Sequence, residues 1–200
     1  MKPDEAAPRS KKLGEPEPPD AVLVLRAQAG DTVAFRTLIE RHRDRAYTLA
    51  LRMLRAPADA EEVAQDAFVR AWVALPRFRG ESSFGTWLHR IVARRALDRA
   101  AALRRRRERE TVVEEAEQLP DGAGCAAGAE HAFRLEALMA ELTAAQRAVV
   151  ALFYYEGRSV EQVASLLAIP AGTVKTHLSR ARSALRRGWL EAERIRRGAE

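Results

Sequence analysis

Arginine side chains grouped with aromatic ones are the residues of this sequence best suited to chemistry, and that chemistry is the binding of anions. In the stretch 79–100, Phe84 and Trp87 lie among five arginines and only two acidic residues. The arginines are Arg79, Arg90, Arg94, Arg95 and Arg99. Because a guanidinium group makes bidentate contacts with phosphate and with guanine, the stretch indicates a polyanionic partner.

Charge along the chain falls into two basic patches separated by an acidic segment. Residues 76–109 contain eleven arginines and three acidic residues, and residues 170–188 contain five basic residues and no acidic one. Residues 110–131 contain six acidic residues and no Lys or Arg, and the formal net charge of the chain is +6. One Arg-rich stretch is as compatible with a solvated helix face as with a binding surface. Two such patches favour a polyanionic partner.

Other kinds of chemistry find no support in the sequence. No paired carboxylates, nucleophile motif or glycine-rich phosphate loop stands out, and the four histidines lack metal-ligand spacing. We therefore expect no catalytic residue, no metal and no cofactor. Cys125 is the only cysteine, which excludes an internal disulfide and is typical of a reducing compartment such as the cytoplasm. No apolar run approaches the ~20 residues that span a membrane.

Helices are the elements that must position these residues. From residue 21 apolar side chains recur at three- and four-residue spacing, and no strand-like alternation is present. One stripe ends with Phe68 and Trp72, and a later helix carries Trp87. Capping residues are predicted at Asp31, at Ser82 or Ser83, and in three capping boxes, Asp59 with Glu62, Thr143 with Gln146, and Ser159 with Gln162.

The predicted fold class is all-α, with two small helical domains joined by a flexible acidic linker. Residues 1–20 hold five of the nine prolines without a hydrophobic segment, which predicts a disordered tail and no signal peptide. The predicted domains are 21–107 and 133–190, with a linker at 108–132 and a second tail at 191–200. The 22 residues of the linker's acidic segment, 110–131, could extend to roughly 70 Å.

The C-terminal domain has the form of a helix-turn-helix: a short capped helix, a break at Pro170 and a basic helix. One side of the second helix is apolar, with Val174, Leu178, Ala181 and Leu185. The opposite side carries Thr176, Ser179, Arg180, Ser183 and Arg187, flanked by Lys175 and Arg186. This face suits the major groove of DNA, where a well-placed Arg180 would contribute roughly 1–3 kcal/mol of discrimination for guanine. An ordinary amphipathic hairpin is the alternative, and the acid-free outer face disfavours it.

Four stretches occur in the order typical of one protein family. They are FRTLIERHRDRAYTLALRML, DAEEVAQDAFVRAW, FRGESSFGTWLHRI and SVEQVASLLAIPAGTVKTHLSRARSALR. On these motifs, residues 21–188 resemble the bacterial extracytoplasmic-function sigma factors, which have two conserved domains. The resemblance implies an alternative sigma factor, not an enzyme, that acts in the cytoplasm. Its implied partners are core RNA polymerase, promoter DNA and, as for many members, an anti-sigma factor.

The resemblance also implies a role for each segment. Core polymerase would be bound by Glu61, Glu62, Gln65, Asp66 and Arg70. The −10 element would be bound and melted by Arg79, Gly80, Ser82, Ser83, Trp87, Arg90 and Arg94. The −35 element would be read by Thr173, Lys175, Thr176, Ser179, Arg180, Ser183 and Arg187.

The −10 assignment would explain the arginines and aromatics of the stretch 79–100. Single-stranded DNA binding combines a cationic track for the backbone with surfaces for unstacked bases. The loop 80–83 would offer backbone and hydroxyl groups to a base, and Trp87 is as compatible with the core as with strand contact. Four residues depart from the family pattern, which often has Asn at Arg94, an aromatic residue at His89, Gly at Ala168 and a larger or acidic residue at Ala171.

Three other interpretations remain. A stand-alone helix-turn-helix regulator, which would normally dimerise on a palindromic site, explains only residues 134–188. A nucleic-acid enzyme lacks the necessary motifs. A decoy that binds polymerase without engaging promoters would not need base-facing Thr176, Ser179 and Arg180.

Overall fold

The computed structural model describes residues 18–110 and 127–198, and all regular secondary structure in these two ranges is helical. The helices are α1 (Asp20–Gln28), α2 (Thr32–Leu54), α3 (Pro57–Ala74), α4 (Phe84–Glu110), α5 (Ala127–Ala140), α6 (Ala144–Val150), α7 (Val160–Leu167) and α8 (Ala171–Gly198). A 3₁₀ turn (Leu75–Arg77) follows α3, and a π-helical turn (Ala151–Tyr155) follows α6. The predicted all-α class is confirmed.

The N-terminal domain is a bundle in which α2, α3 and α4 pack against one another and α1 crosses α2. Its fully buried side chains come from every helix, and the largest include Leu23, Leu38, Leu49, Met53 and Leu88. Because burial of a Leu or Met side chain contributes about 1.5–3 kcal/mol, this core fixes the position of α4, which carries nine of the eleven arginines of the first basic patch.

The predicted helix N-caps are confirmed where the capping side chain and its backbone partner lie within three residues of each other. The Asp31 carboxylate accepts hydrogen bonds from the backbone N–H groups of Val33 (2.9 Å) and Ala34 (3.0 Å). Ser83 Oγ accepts from the Thr86 N–H at 3.2 Å. The capping boxes that begin at Thr143 and Ser159 are both present.

The capping box predicted for Asp59 and Glu62 is wrong. The third helix, α3, begins earlier, at Pro57, and no side chain caps its N-terminus. Proline at the first helical position needs no partner for its missing N–H and has a helical φ already. Asp59 and Glu62 instead bind the guanidinium of Arg99 on α4.

The C-terminal domain contains the predicted helix-turn-helix in α7 and α8. Val163 and Leu166 of α7 pack with Val174 and Leu178 of α8 in the apolar core. The turn between the helices places Ala168 at φ +54°, in the left-handed region. This conformation raises the energy of a residue with a Cβ by roughly 1–2 kcal/mol, so the packing of α7 on α8 must offset the local strain.

The two domains pack against each other, which the sequence does not predict. Val149, Leu152 and Val163 of the C-terminal domain belong to the same buried apolar cluster as the core of the N-terminal domain. Arg147, on α6, donates from Nε to the Met53 carbonyl at 2.7 Å. Burial and the nearby Arg55 lower the pKa of Arg147.

The predicted segment boundaries fall within or beside helices. The predicted linker begins inside the last turn of α4 and ends inside α5, and its middle, residues 111–126, lies outside the described residues. Most of the predicted N-terminal tail, residues 1–17, also lies outside them. The last helix continues to Gly198, past residue 190, where the C-terminal domain was predicted to end. Among the described helices, none combines the length and apolar character needed to cross a bilayer.

Candidate nucleic-acid interface

The outer face of α8 presents the predicted base-reading residues together. Lys175, Thr176, Ser179, Arg180, Ser183 and Arg187 are exposed, and Thr173 is half-buried. Val174, Leu178 and Ala181 are buried against the domain, as the helical wheel predicts. Thr176 Oγ1 donates to the Gly172 carbonyl at 2.9 Å, so the hydroxyl proton is satisfied and the oxygen is left to accept a hydrogen bond.

A second candidate surface is a cavity of about 370 Å³ between α1 and the loop that precedes α4. Four predicted −10 residues line it: Arg79, Gly80, Ser82 and Ser83. Gly80 has φ +72°, which a residue with a Cβ adopts only with strain. The loop therefore holds its hydroxyl, backbone and guanidinium groups around one concave site.

Helix α1 contributes to this cavity, and sequence reasoning missed it. Gln28 Nε2 donates to the carbonyls of Leu75 (2.9 Å) and Phe78 (2.8 Å), which fixes the start of the loop. Asp20 lines the cavity and lies 2.7 Å from His42 Nε2. The only sequence signal was the presence of polar residues on a short helix, which does not specify that this helix reaches a loop fifty residues away.

Asp20 is held in its charged form by two neighbours on α2. Burial alone would raise its pKa, but hydrogen bonds from His42 and Arg41 outweigh burial and lower the pKa below the usual 3.8. Arg41 donates to Asp20 Oδ1 at 2.9 Å. These contacts attach α1, and with it one wall of the cavity, to the bundle.

Trp87 lies at the edge of the core of the N-terminal domain. Its ring is half-buried and lies 4.8 Å from the ring of Phe78 and 5.8 Å from that of Phe84. It also lines a smaller cavity of about 250 Å³, together with Arg79 and Arg90. One edge of the ring therefore packs in the core while another borders two exposed arginines.

The five arginines of the stretch 79–100 form two groups, one paired with acidic residues of α3 and one exposed. Arg95 Nε lies 2.6 Å from Asp66 Oδ2, and Arg99 Nη2 lies 2.6 Å from Asp59 Oδ1. Hydrogen bonding to Asp59 raises the pKa of Arg99. The other three, Arg79, Arg90 and Arg94, are exposed.

The residues predicted to bind polymerase also divide. Glu61 and Gln65 are exposed and joined by a hydrogen bond of 3.2 Å. Asp66 is shared between Arg70 (2.9 Å) and Arg95 (2.6 Å). Although burial raises the pKa of Asp66, the hydrogen bonds from these two arginines lower it overall. Part of the acidic face therefore orders α4.

Beside these residues α3 carries an apolar patch that sequence reasoning missed, formed by Val69, Trp72 and Val73. Their exposed fractions are 63%, 37% and 74%. Trp72, predicted to lie in the core stripe, is instead at its edge, with its ring 4.8 Å from that of Phe35. An open cavity of about 330 Å³ adjoins the patch. Val69 and Val73 are four residues apart on the outer face, and this spacing was the available signal.

Known proteins resemble the chain over nearly its whole described length. Residues 38–109 match the family Sigma-70 region 2, and residues 132–185 match the family Sigma-70, region 4. The ECF RNA polymerase sigma-E factor of Escherichia coli K12 is 34% identical over 176 residues, which cover 83% of this chain and 92% of that protein. The chain belongs to the extracytoplasmic-function sigma factors. The RNA polymerase sigma-H factor of Pseudomonas aeruginosa is 33% identical, with coverage of 83% and 91%.

Two solved structures share the fold of this sigma factor. CnrH in complex with the cytosolic domain of CnrY has a TM-score of 0.60 and 26% identity, and the match covers 86% of this chain and 97% of that one. The sigma factor RpoE of Bartonella quintana, in complex with the anti-sigma factor NepR, has a TM-score of 0.58. At 23% identity, with coverage of 78% of this chain and 96% of that one, the latter similarity shows the fold alone.

Proposed function

We propose that this chain is an alternative sigma factor that binds core RNA polymerase and directs promoter-specific transcription initiation. The observation that carries the proposal is the presence of both sigma regions on one chain, each with an exposed surface of the expected chemistry. A stand-alone regulator would need only α8. It would leave the apolar patch of α3 and the cavity before α4 without a task.

The −35 element is read by α8 in the major groove. Thr176, Ser179 and Arg180 face base edges, and Lys175 and Arg187 hold phosphates. A bidentate contact of Arg180 with guanine contributes roughly 1–3 kcal/mol of discrimination, and the phosphate contacts add affinity that falls with salt. Support comes from the exposure of these side chains on one acid-free face.

The −10 element is held as a single strand by the loop 78–83 and the start of α4. The 370 Å³ cavity receives a base taken out of the stack, with Ser82 and Ser83 as hydrogen-bonding groups. Arg79, Arg90 and Arg94 hold the backbone beside the edge of Trp87. These contacts must offset a few kcal/mol of unstacking for each base. Melting is then a binding event that needs no catalytic residue, metal or cofactor.

Core polymerase docks on the outer face of α3. Val69, Trp72 and Val73 supply the apolar centre, and Glu61, Gln65 and Arg70 supply the polar rim. Apolar centres with polar rims are typical of protein interfaces, and exposed apolar patches on a folded domain commonly mark them. Glu62 and Asp66 act through α4, because their carboxylates are bound to its arginines.

We further propose that the chain functions in the cytoplasm, where polymerase is found. We also propose that an anti-sigma factor controls it. The solved relatives CnrH and RpoE are each bound to another protein, the cytosolic domain of CnrY and the anti-sigma factor NepR. An anti-sigma factor of this chain would contact both helical domains, since both carry surfaces needed for initiation.

Run-off transcription tests the proposal. Purified core polymerase is incubated with a DNA fragment from upstream of this protein's own gene, with and without the protein. We expect a transcript that depends on the protein and weakens with Arg180→Ala. The matched control is Arg182→Ala, which removes an exposed arginine of the same helix that lies off the base-reading face. No transcript, together with specific duplex binding by the protein alone, would instead support a stand-alone regulator.

A further inference from the structure

The C-terminal domain contacts the proposed −10 surface at the start of α4. Arg90 Nη2, at the start of α4, lies 3.4 Å from Ser165 Oγ on α7. The neighbouring His89 is 3% exposed, and its Nδ1 lies 3.5 Å from Glu156 Oε2, beyond the π-helical turn. Arg52 of α2 stacks on the ring of Tyr155, 3.9 Å from its centroid. Both sides of this contact belong to DNA-binding domains.

In the packed arrangement the two proposed DNA-binding surfaces lie too close together to reach both promoter elements at once. Arg90 contacts α7, and α7 packs on α8 at an interaxial distance of roughly 8–10 Å. Sites one helical turn apart on B-DNA are already separated by about 34 Å. If Arg90 holds the −10 strand and α8 reads the −35 element, the two domains must separate before both are bound.

His89 occupies the centre of this contact and faces several charged groups. Helix α2 contributes His42 and Arg45, and the segment after the π-helical turn contributes Glu156 and Arg158. Helix α7 contributes Ser165, whose Oγ lies 3.4 Å from Nη2 of the adjacent Arg90. Nδ1 of His89 makes no hydrogen bond with any residue in the part of the chain that the structure describes. A buried imidazole in this position is tolerated when neutral, and a proton on it would be costly.

We propose that His89 is a proton-operated latch between the two domains, whose protonation separates them and uncovers the start of α4. Protonation places a positive charge in a buried contact where Glu156 stabilises it and Arg158 and Arg45 oppose it. Separation gives that charge access to water. Neutral His89 favours the packed form, and charged His89 favours the open form.

The direction of the pH dependence follows from linkage. In the packed form burial lowers the pKa of His89, Glu156 raises it, and Arg158, His42 and Arg45 lower it further, so that the pKa lies below its usual 6.5. Once the domains separate, the pKa returns towards about 6.5. The packed form therefore binds fewer protons than the open form. Packing is strongest above about pH 6.5 and weakens as the pH falls below that value.

Energy transfer between two fluorophores on the full chain tests the latch. The dyes are attached to R36C on α2 and S183C on α8, both exposed positions, in a Cys125→Ser background. We expect the transfer efficiency to fall as the pH is lowered from 8 to 5.5. Circular dichroism at each pH shows that the helices remain folded.

Two variants should change the pH dependence of the transfer efficiency in opposite directions. His89→Phe keeps an aromatic ring that cannot be protonated, and it should abolish the fall in efficiency below pH 7. Glu156→Gln removes the compensating anion, so the domains should open at a higher pH than in the parent chain. His177→Gln, which removes a half-buried histidine of α8, should leave the pH response unchanged.

The latch is wrong if the parent chain shows no fall in efficiency, if His89→Phe responds to pH as the parent does, or if Glu156→Gln opens at a lower pH. Should His89→Phe fail to fold, Glu156→Gln decides the matter, since it changes only a partly buried carboxylate. The consequence for promoter binding rests on the proposed −10 role of Arg90. The energy-transfer measurement involves no DNA, so its failure is distinguishable from failure of the proposed function.

Discussion

The apolar patch of α3 offers the most direct test of how this sigma factor docks on polymerase. Val73 is 74% exposed, so its replacement removes little packing from the folded protein. Val73→Asp places a carboxylate at the centre of the proposed interface while leaving the ion pairs between α3 and α4 intact. We expect weaker binding to core polymerase and an unchanged melting temperature.

The magnitude follows from burial and charge. Complete burial of a Val side chain contributes at least about 1.5 kcal/mol, and the exposed three quarters of Val73 would therefore contribute about 1 kcal/mol on docking. An unpaired carboxylate in the interface costs roughly 1–3 kcal/mol more. The total of about 2–4 kcal/mol corresponds to a roughly 30- to 1000-fold rise in Kd.

Fluorescence anisotropy of labelled sigma factor titrated with core polymerase measures this Kd without DNA. The control is Val22→Asp, which makes the same chemical change at an exposed position on α1. A Val73→Asp variant that binds within threefold of the parent would refute the assignment of this patch. An equal loss with Val22→Asp would show a general effect of added negative charge.

Three further changes test the base-reading helix, the wall of the −10 cavity and the turn before α8. Arg180→Ala should reduce discrimination between intact and mutated −35 elements in run-off transcription by roughly 1–3 kcal/mol; full discrimination in the variant would remove Arg180 from the base-reading set. Asp20→Asn should lower the denaturant midpoint at pH 7, and the difference should shrink as the pH falls below about 3.8 and vanish only below the lower pKa that Asp20 has in the folded protein, because the charged carboxylate stabilises the fold; a deficit that stays constant from about pH 5 to about pH 2 would indicate lost packing instead. Ala168→Gly should raise the free energy of unfolding by about 0.5–1 kcal/mol. Glycine adopts φ +54° without strain, and this gain exceeds the chain entropy that glycine loses on folding. A decrease measured by urea unfolding would show that the methyl group of Ala168 packs favourably.

Local chemistry explains which parts of the fold could be predicted from the sequence. Asp31, Thr143 and Ser159 cap helices with groups two or three residues away, so the sequence contains both partners in one short window. Asp59 has the same appearance, yet its partner Arg99 is forty residues away. A side chain that can either cap a helix or form an ion pair is assigned only when the tertiary structure brings the competing partner close.

The candidate site was predictable where exposure follows from periodicity and not where it depends on packing. The helical wheel identified the outer face of α8, because Val174 and Leu178 define its buried side. The same method placed Trp72 in the core, because a wheel does not distinguish an apolar side chain in the core from one on an interface. The contact of His89 with Glu156 depends on how two separate domains meet, and no local pattern encodes that.

The acidic residues of α3 link the two proposed functions of the N-terminal domain. Asp66 binds both Arg70 of its own helix and Arg95 of α4, so it fixes the rotation of α4 relative to the polymerase-docking face. With Arg95 held in this way, Arg94 is exposed on the neighbouring side of α4. The division of the arginines into paired and exposed ones thus explains why α4 is so rich in them. Some orient the helix on the surface proposed to dock on polymerase, and the exposed ones are those proposed to hold the DNA strand.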